Sequence, residues 1–306
     1  MAACLALIPL LASARPMATC YRHPSRETGV ACSSCGRPIC PDCMTPTAVG
    51  MRCPECAKQG TRVMTMRNMA TRPQVTFALI AINVIAFLAE GNFTLNGQPT
   101  GTVYEEGALF GSIRGLPTLG VAHGQWWRLV TSGFLHENLL HIGFNMWVLY
   151  YLGMMLEPAL GRLKFAVIYA VSLLAGSFGA LLVTPHSPTV GASGAVFGLM
   201  GAAAVEMRAR QIPIMQSGVG TLIVLNLVIS FTLPGISWGG HLGGLIAGAL
   251  AALVIQLGDR YRSQSLALAG CAAIAAAAVA GSLATAHSSE AETTVPVQLT
   301  PGGPEP

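Results

Sequence analysis

Charge is scarce in this chain. Only 10% of its 306 residues are Asp, Glu, Lys or Arg, against about 25% in an ordinary soluble domain. Aromatic residues make up 7%, and just two of the 17 basic residues are lysines. Such a surface-poor composition excludes a purely water-soluble protein. It equally excludes disorder over most of the length, because a disordered chain is apolar-poor and charge-rich. The net charge of +4 is too small to point to nucleic acid. Cysteine is absent between residues 57 and 270: eight of the nine lie at or before residue 56, and Cys271 stands alone. What is abundant is apolar surface, with 52% hydrophobic residues and a mean hydropathy of +0.57. The composition describes a polytopic membrane protein with a small cysteine-rich head.

A transmembrane helix needs about 20 apolar residues. Stretches free of charge run approximately over 75–89, 139–156, 165–183, 193–205, 216–234, 238–257 and 266–286. The fourth is short and opens on Gly191-Ala-Ser-Gly. Residues 91–137 are mixed in polarity and contain Gly and Pro, so they read as an extramembrane loop. The segment after His287 is Thr/Pro/Gly-rich and acidic and reads as a disordered tail. With the amino terminus in the cytoplasm, 15 Lys and Arg fall inside and only Arg114 and Arg128 outside; this is the positive-inside pattern. Seven spans then leave the carboxyl terminus outside. Met1 to Pro16 carries an apolar run without the basic region that a signal peptide would have. It reads as a mis-assigned start, with translation beginning at Met17, or as a disordered leader.

In the head, Cys20-x-x-His23, Cys32-x-x-Cys35, Cys40-x-x-Cys43 and Cys53-x-x-Cys56 follow one another within 37 residues. A two-residue gap lets both side chains turn toward one tetrahedral ion, and four ligands close a structural zinc site. Eight ligands make two zincs. Disulfides would require export to an oxidising compartment, which the charge distribution opposes. The pairs join either sequentially or in a cross-brace, Cys20/His23 with Cys40/Cys43 and Cys32/Cys35 with Cys53/Cys56. The four-residue gap between Cys35 and Cys40 favours the cross-brace. Saturated sites have no open position for catalysis, so the head reads as a docking or regulatory domain for a cytoplasmic protein partner. Its scattered arginines and few aromatics argue against nucleic acid.

Polar groups are costly at bilayer depth and mark functional interiors. The second span and its entry hold His136, His141 and Asn145; the fourth opens with Ser193; the sixth holds His241. His141 and Asn145, four apart, share a helix face. Gly194-x-x-x-Gly198 follows the serine, and Gly240, Gly244 and Gly248 surround the histidine. Small residues at this spacing let helices approach closely in lipid, near enough for Ser193 to meet His241. Singly, each feature has a plainer account: packing for the glycines, a carbonyl partner for the serine, a proton relay or metal for the histidine. Together and in this order they are not packing alone.

These motifs, with Trp127-Arg128, Tyr151-Leu-Gly and Glu157, resemble the rhomboid family of intramembrane serine proteases over about residues 75–257. The resemblance implies an all-α membrane fold with a six-helix core, to which this chain adds a seventh carboxyl-terminal helix and the zinc-stabilised head. It implies a Ser193–His241 dyad, with His141, Asn145 and the Ser193 N–H as the oxyanion site. Gly191 and His136, near the mouth, are supporting positions, and Phe197 stacks on the base without a tyrosine's hydroxyl. No Asp or Glu lies within the sixth span to orient His241, and Glu157 and Trp127-Arg128 read as structural. The implied substrates are single-span membrane proteins cut near the outer leaflet of the bilayer. Because some bacterial rhomboids carry a similar head, a bacterial plasma membrane is the implied location. The domain layout is then 1–16 leader, 17–60 zinc domain, 61–74 basic linker, 75–257 protease core, 258–287 linker and seventh helix, and 288–306 tail. A silent, client-binding relative is the alternative, and the retention of all four site residues speaks against it. A proton-path transporter would show an inverted repeat, which is not seen.

Overall fold

The computed structural model describes residues 18–47, 50–58, 73–91, 93–95, 101–113, 118–233 and 235–294. The leader 1–16, Met17, most of the basic linker and residues 295–306 of the tail lie outside these. The chain divides into two units, the first ending at Met69 and the second beginning at Ala70.

The first unit is built on two minimal hairpins. Strand β1 (Ala18–Thr19) pairs antiparallel with β2 (Glu27–Thr28), and β3 (Thr45–Thr47) pairs antiparallel with β4 (Gly50–Arg52). A five-residue helix α1 (Pro54–Lys58) follows. Its buried core consists of six cysteines and Ile39, with Tyr21 and Met44 partly covering them. One aliphatic side chain cannot offset the chain entropy of some forty residues.

The second unit is helical. Helix α2 (Gln74–Glu90) comes first. The connection to the next long helix contains the short helices α3 (Thr102–Gly107) and α4 (Arg128–Thr131). Then follow α5 (Leu139–Leu160), α6 (Arg162–Val183), α7 (Ser193–Ala209), α8 (Val219–Thr232), α9 (Trp238–Arg260) and α10 (Gln264–Thr294). All seven apolar stretches of the sequence are therefore helices. Four of them, α5, α6, α9 and α10, are long and apolar enough to cross a membrane, while α2 and α8 are shorter apolar helices. The expected tail from residue 288 is corrected in part: α10 continues to Thr294, since Ser288-Ser-Glu-Ala-Glu contains no helix breaker.

Helices α6, α7 and α9 form the centre, with α10 against α6 and α9, and α2 against α5. Contact between α7 and α9 is backbone to backbone. A Cβ placed on Gly244 would overlap the Gly194 carbonyl oxygen, and one on Gly248 would overlap that of Gly198. Without water to drive helices together, such close van der Waals packing is what holds them in lipid.

Two buried carboxylates fix α2 at its ends. Glu157 on α5 accepts from the N–H groups of Val75 (2.9 Å) and Thr76 (2.8 Å) and from the Thr76 hydroxyl (2.7 Å). It thereby satisfies donors that a helix start leaves orphaned. Glu90, in the last turn, accepts from His136 N–H at 3.1 and 3.2 Å. The structural role expected for Glu157 thus has a specific form, an N-terminal cap supplied by another helix.

Arg128 organises the first connection. Only 1% exposed, it donates to the carbonyls of Glu105 (2.9 Å) and Ala108 (2.6 Å) and to Gln125 Oε1 (2.8 Å), and lies over the Phe110 ring. Trp127 Nε1 donates to the Glu106 carbonyl. Leu109 forms a bridge with Thr189, next to the start of α7.

Gly248→Ala is expected to lower thermal stability in detergent, by about 1–3 kcal/mol for an overpacked contact. Gly143→Ala, where a Cβ would meet nothing within 4 Å, is the control and should leave the midpoint unchanged or raise it. Glu157→Ala should destabilise by about 1–3 kcal/mol for each buried N–H it strands, read from the same melting curves.

Candidate active site and metal clusters

Ser193, His141 and His241 each sit in the first turn of a helix. Ser237 caps α9, accepting from Gly240 N–H at 3.4 Å, and so sets His241 in the opening turn. Asn138 caps α5 by accepting from His141 N–H at 2.9 Å. Asn145 follows one turn later and donates through Nδ2 to the His141 carbonyl at 3.0 Å, which leaves its second amide hydrogen free. Ser193 opens α7, whose N-terminus has no side-chain cap. The first N–H groups of such a helix have no intrahelical partner and form a ready anion site.

The approach of α7 to α9 brings Ser193 Oγ to 2.7 Å from His241 Nε2. Phe197, one turn beyond the serine, stacks on the imidazole with centroids 4.1 Å apart and planes 12° from parallel. Gly191 has φ +130°, a region open to glycine. A Cβ there would lie 2.8 Å from His141 Nε2, so its absence allows His141 to approach the start of α7. Gly191 N–H donates to the Ser132 carbonyl at 2.9 Å, tying this turn to the first connection.

His141, Asn145, Gly191, Ser193, Phe197 and His241 all line one cavity of about 460 Å³. The rest of its wall is mixed: Leu140, Phe144 and Val148 on α5 and Ile229 and Leu233 at α8 are apolar, while Glu137, Asn138, Asn226 and Ser230 add polar groups. His136 is not at the mouth, where the sequence reading set it. It is completely buried, its ring edge-on to His141 with centroids 5.1 Å apart, and is not among the lining residues. The backbone N–H bond to Glu90 draws this residue inward, behind His141.

One neighbour was not anticipated. Ser230 on α8 places Oγ 2.5 Å from His241 Nδ1, on the side of the ring away from Ser193. The serine is 3% exposed. A single hydroxyl in an apolar helix gives no signal in sequence, because it ordinarily bonds to its own helix.

In the first unit the interleaved pairing holds. Cys20, His23, Cys40 and Cys43 form one cluster and Cys32, Cys35, Cys53 and Cys56 the other, with ligand atoms in each within 4.8 Å of one another. His23 presents Nδ1, 3.3 Å from Cys40 Sγ and 3.4 Å from Cys43 Sγ; Cys35 and Cys53 sulfurs are 3.8 Å apart. Sulfurs bound tetrahedrally to zinc at 2.3 Å would be separated by about 3.8 Å, so the donor sets fit that ion. No disulfide joins these cysteines. The Cys53 N–H donates to Cys32 Sγ at 3.3 Å, a bond that favours the thiolate a metal requires.

The family model for the rhomboid domain matches residues 123–257. Rhomboid protease GluP of Bacillus subtilis (strain 168) is 32% identical over 189 residues, which cover 61% of this chain and 36% of that protein. Putative rhomboid protease YdcA of the same organism is 36% identical over 147 residues, 46% of this chain and 74% of YdcA. Rhomboid-like protease 1 of Toxoplasma gondii is 37% identical over 136 residues, 42% of this chain and 46% of that protein. The chain thus spans between about a third and a half of GluP and the Toxoplasma protein, but most of YdcA. With the serine and histidine helices inside the matched domain, this multi-pass membrane protein belongs to the rhomboid family.

Proposed function

We propose that the protein is an intramembrane serine endopeptidase that cleaves single-span membrane proteins near the outer leaflet. The observation that carries this reading is the 2.7 Å contact between Ser193 Oγ and His241 Nε2 at the wall of a polar-ended cavity. Ser193 Oγ attacks the scissile carbonyl while His241 Nε2 accepts its proton. The oxyanion forms where the uncapped N–H groups of α7, the His141 ring and the second Asn145 amide hydrogen converge. Collapse of the tetrahedral intermediate returns the proton from His241 to the leaving amine and leaves an acyl-enzyme. Water, activated by the same imidazole, then hydrolyses the ester. An extended substrate segment reaches the serine between α5 and α8, which make little contact with each other and present apolar side chains to the cavity. Helix α8, with 14 residues, is about 21 Å long and falls short of a bilayer core of about 30 Å. That shortfall thins the hydrophobic wall beside the site.

The amino terminus lies in the cytoplasm and the carboxyl terminus outside, as the distribution of Lys and Arg indicates. The location is a bacterial plasma membrane. The metal in both head clusters is zinc, and its role is structural: four protein ligands saturate each site. The head, residues 17–60, serves as a docking module for a cytoplasmic protein. A silent client-binding role is the second reading, but it gives no reason for a serine, its base and the amide donors to share one cavity.

Reconstituted in liposomes with a panel of single-span substrates, the wild type should cleave and should react with a fluorophosphonate. Ser193→Ala and His241→Ala should abolish both. Asn145→Ala should lower kcat by roughly 100- to 1,000-fold, the cost of one oxyanion donor. A well-folded wild type that the probe does not label would favour the silent reading. Elemental analysis of the purified chain should find two zinc ions, and Cys40→Ser together with Cys43→Ser should lower that to one or fewer. A chain free of metal would refute the zinc assignment.

A further inference from the structure

The histidine has a third partner that sets which of its nitrogens can act as a base. Ser230 Oγ lies 2.6 Å from the Asn226 carbonyl oxygen, one turn back on α8, and 2.5 Å from His241 Nδ1. A hydroxyl has a single hydrogen. The carbonyl can only accept, so at 2.6 Å that hydrogen points to Asn226. What Ser230 turns toward the imidazole is therefore an oxygen lone pair, and Nδ1 must carry a hydrogen to meet it. In a neutral imidazole this leaves Nε2 unprotonated, and Nε2 faces Ser193 Oγ at 2.7 Å.

From this chain of donors and acceptors we infer that Ser230 is a positioning residue. It holds His241 in the Nδ1–H tautomer, so that Nε2 is available to take the proton of Ser193. The inference rests on the Ser193–His241 dyad proposed above. The opposite tautomer would send Nε2–H toward Ser193, leave no base, and set the Asn226 oxygen against the Ser230 oxygen without a hydrogen between them. Phe197 fixes the plane of the ring from its face; Ser230 fixes its rotation within that plane. When Nε2 gains the proton, the ring becomes cationic and the Nδ1–H bond to Ser230 becomes charge-assisted. The contact thus strengthens as the reaction advances, which is the condition for lowering the barrier.

A hydroxyl also suits the place. Serine hydrolases in water commonly orient the base with a buried carboxylate. At the depth of α8 and α9 a carboxylate would add a charge that is expensive to bury. Ser230 supplies the acceptor without a charge, and it passes its own hydrogen to a backbone carbonyl that an α-helix can share.

The test compares wild type, Ser230→Ala and Ser230→Thr as full-length protein in micelles, with Ser193→Ala and His241→Ala as references. Nitrogen NMR of histidine-labelled protein reports the tautomer directly. The wild-type His241 should give the Nδ1–H signature, and Ser230→Ala should shift it toward Nε2–H. Ser230→Ala should lower kcat by roughly 10- to 100-fold, as for a lost hydrogen bond to a charged group. Its KM should stay close to wild type, and Ser230→Thr should restore most of the rate. A Ser230→Ala protein with wild-type kcat overturns the inference. So does a wild-type spectrum showing Nε2–H, which decides the matter even if the alanine variant does not fold. Activity surviving in His241→Ala would instead overturn the dyad itself.

Discussion

The approach of α7 to α9 is the constraint on which the site depends. Ser193 and His241 are 48 positions apart, and no side chain spans the distance between their helices. They meet because Gly194, Gly198, Gly244 and Gly248 lack the Cβ atoms that would press on the facing backbone. The crossing also has a direction. Both residues lie in the first turn of their helices, so the contact forms at the ends where the backbone N–H groups are unpaired. A serine deeper in α7 could pack as closely against α9, but it would have no donors beside it for an oxyanion. Close packing and electrostatic complementarity are thus consequences of one placement.

Several charged groups of the second unit are used for construction, while Glu137 lines the cavity itself. Glu157 caps the start of α2, Glu90 receives the backbone before α5, and Arg128 gathers the carbonyls of the first connection. Lys164 and Asp259 pair at 2.6 Å where α6 begins and α9 ends. Among the described residues, the side-chain hydrogen-bond partner of the dyad is the Ser230 hydroxyl, which carries no charge. A buried charge is tolerated where backbone dipoles or a partner satisfy it. Beside an imidazole that must gain and lose a proton in each cycle, a permanent charge would bias that equilibrium.

How much of this was visible in the sequence follows from contrast. Ser193, His241, His141 and Asn145 stand out because apolar spans surround them, and the glycine spacing indicated which spans meet. The same contrast failed for Ser230. One serine in α8 looks like any other intrahelical hydroxyl, and it does make that bond to Asn226; only its second contact is informative, and that depends on where α9 lies. His136 was misplaced for a related reason. Its spacing from His141 puts it at the entry of α5, but the Glu90 carboxylate that draws it into the interior is 46 positions away. The extension of α10 to Thr294 was hidden by composition, since polar residues resemble a tail until a helix has already begun before them.

In the head the ligand spacing was legible, and the short gap between Cys35 and Cys40 already favoured the order of pairing that the clusters adopt. The interleaved arrangement has a physical reason. Two sequential sites would leave residues 20–35 and 40–56 as separate loops, each with a single ion and almost no apolar core. Interleaving makes each cluster draw from both halves, so that closing one brings the ligands of the other together. Ile39, completely buried and immediately before Cys40, sits where the two halves cross. Its backbone N–H donates to the Val30 carbonyl at 2.9 Å, and its carbonyl accepts from the Thr28 hydroxyl at 2.7 Å. Ile39, the one aliphatic core residue among the described residues of the head, therefore stands in the segment that both clusters must share. Loop-closure entropy grows only with the logarithm of loop length, so the longer loops of the interleaved form cost little more than the short ones. What they add is coupling, and a segment with so small a core needs it to fold as one body.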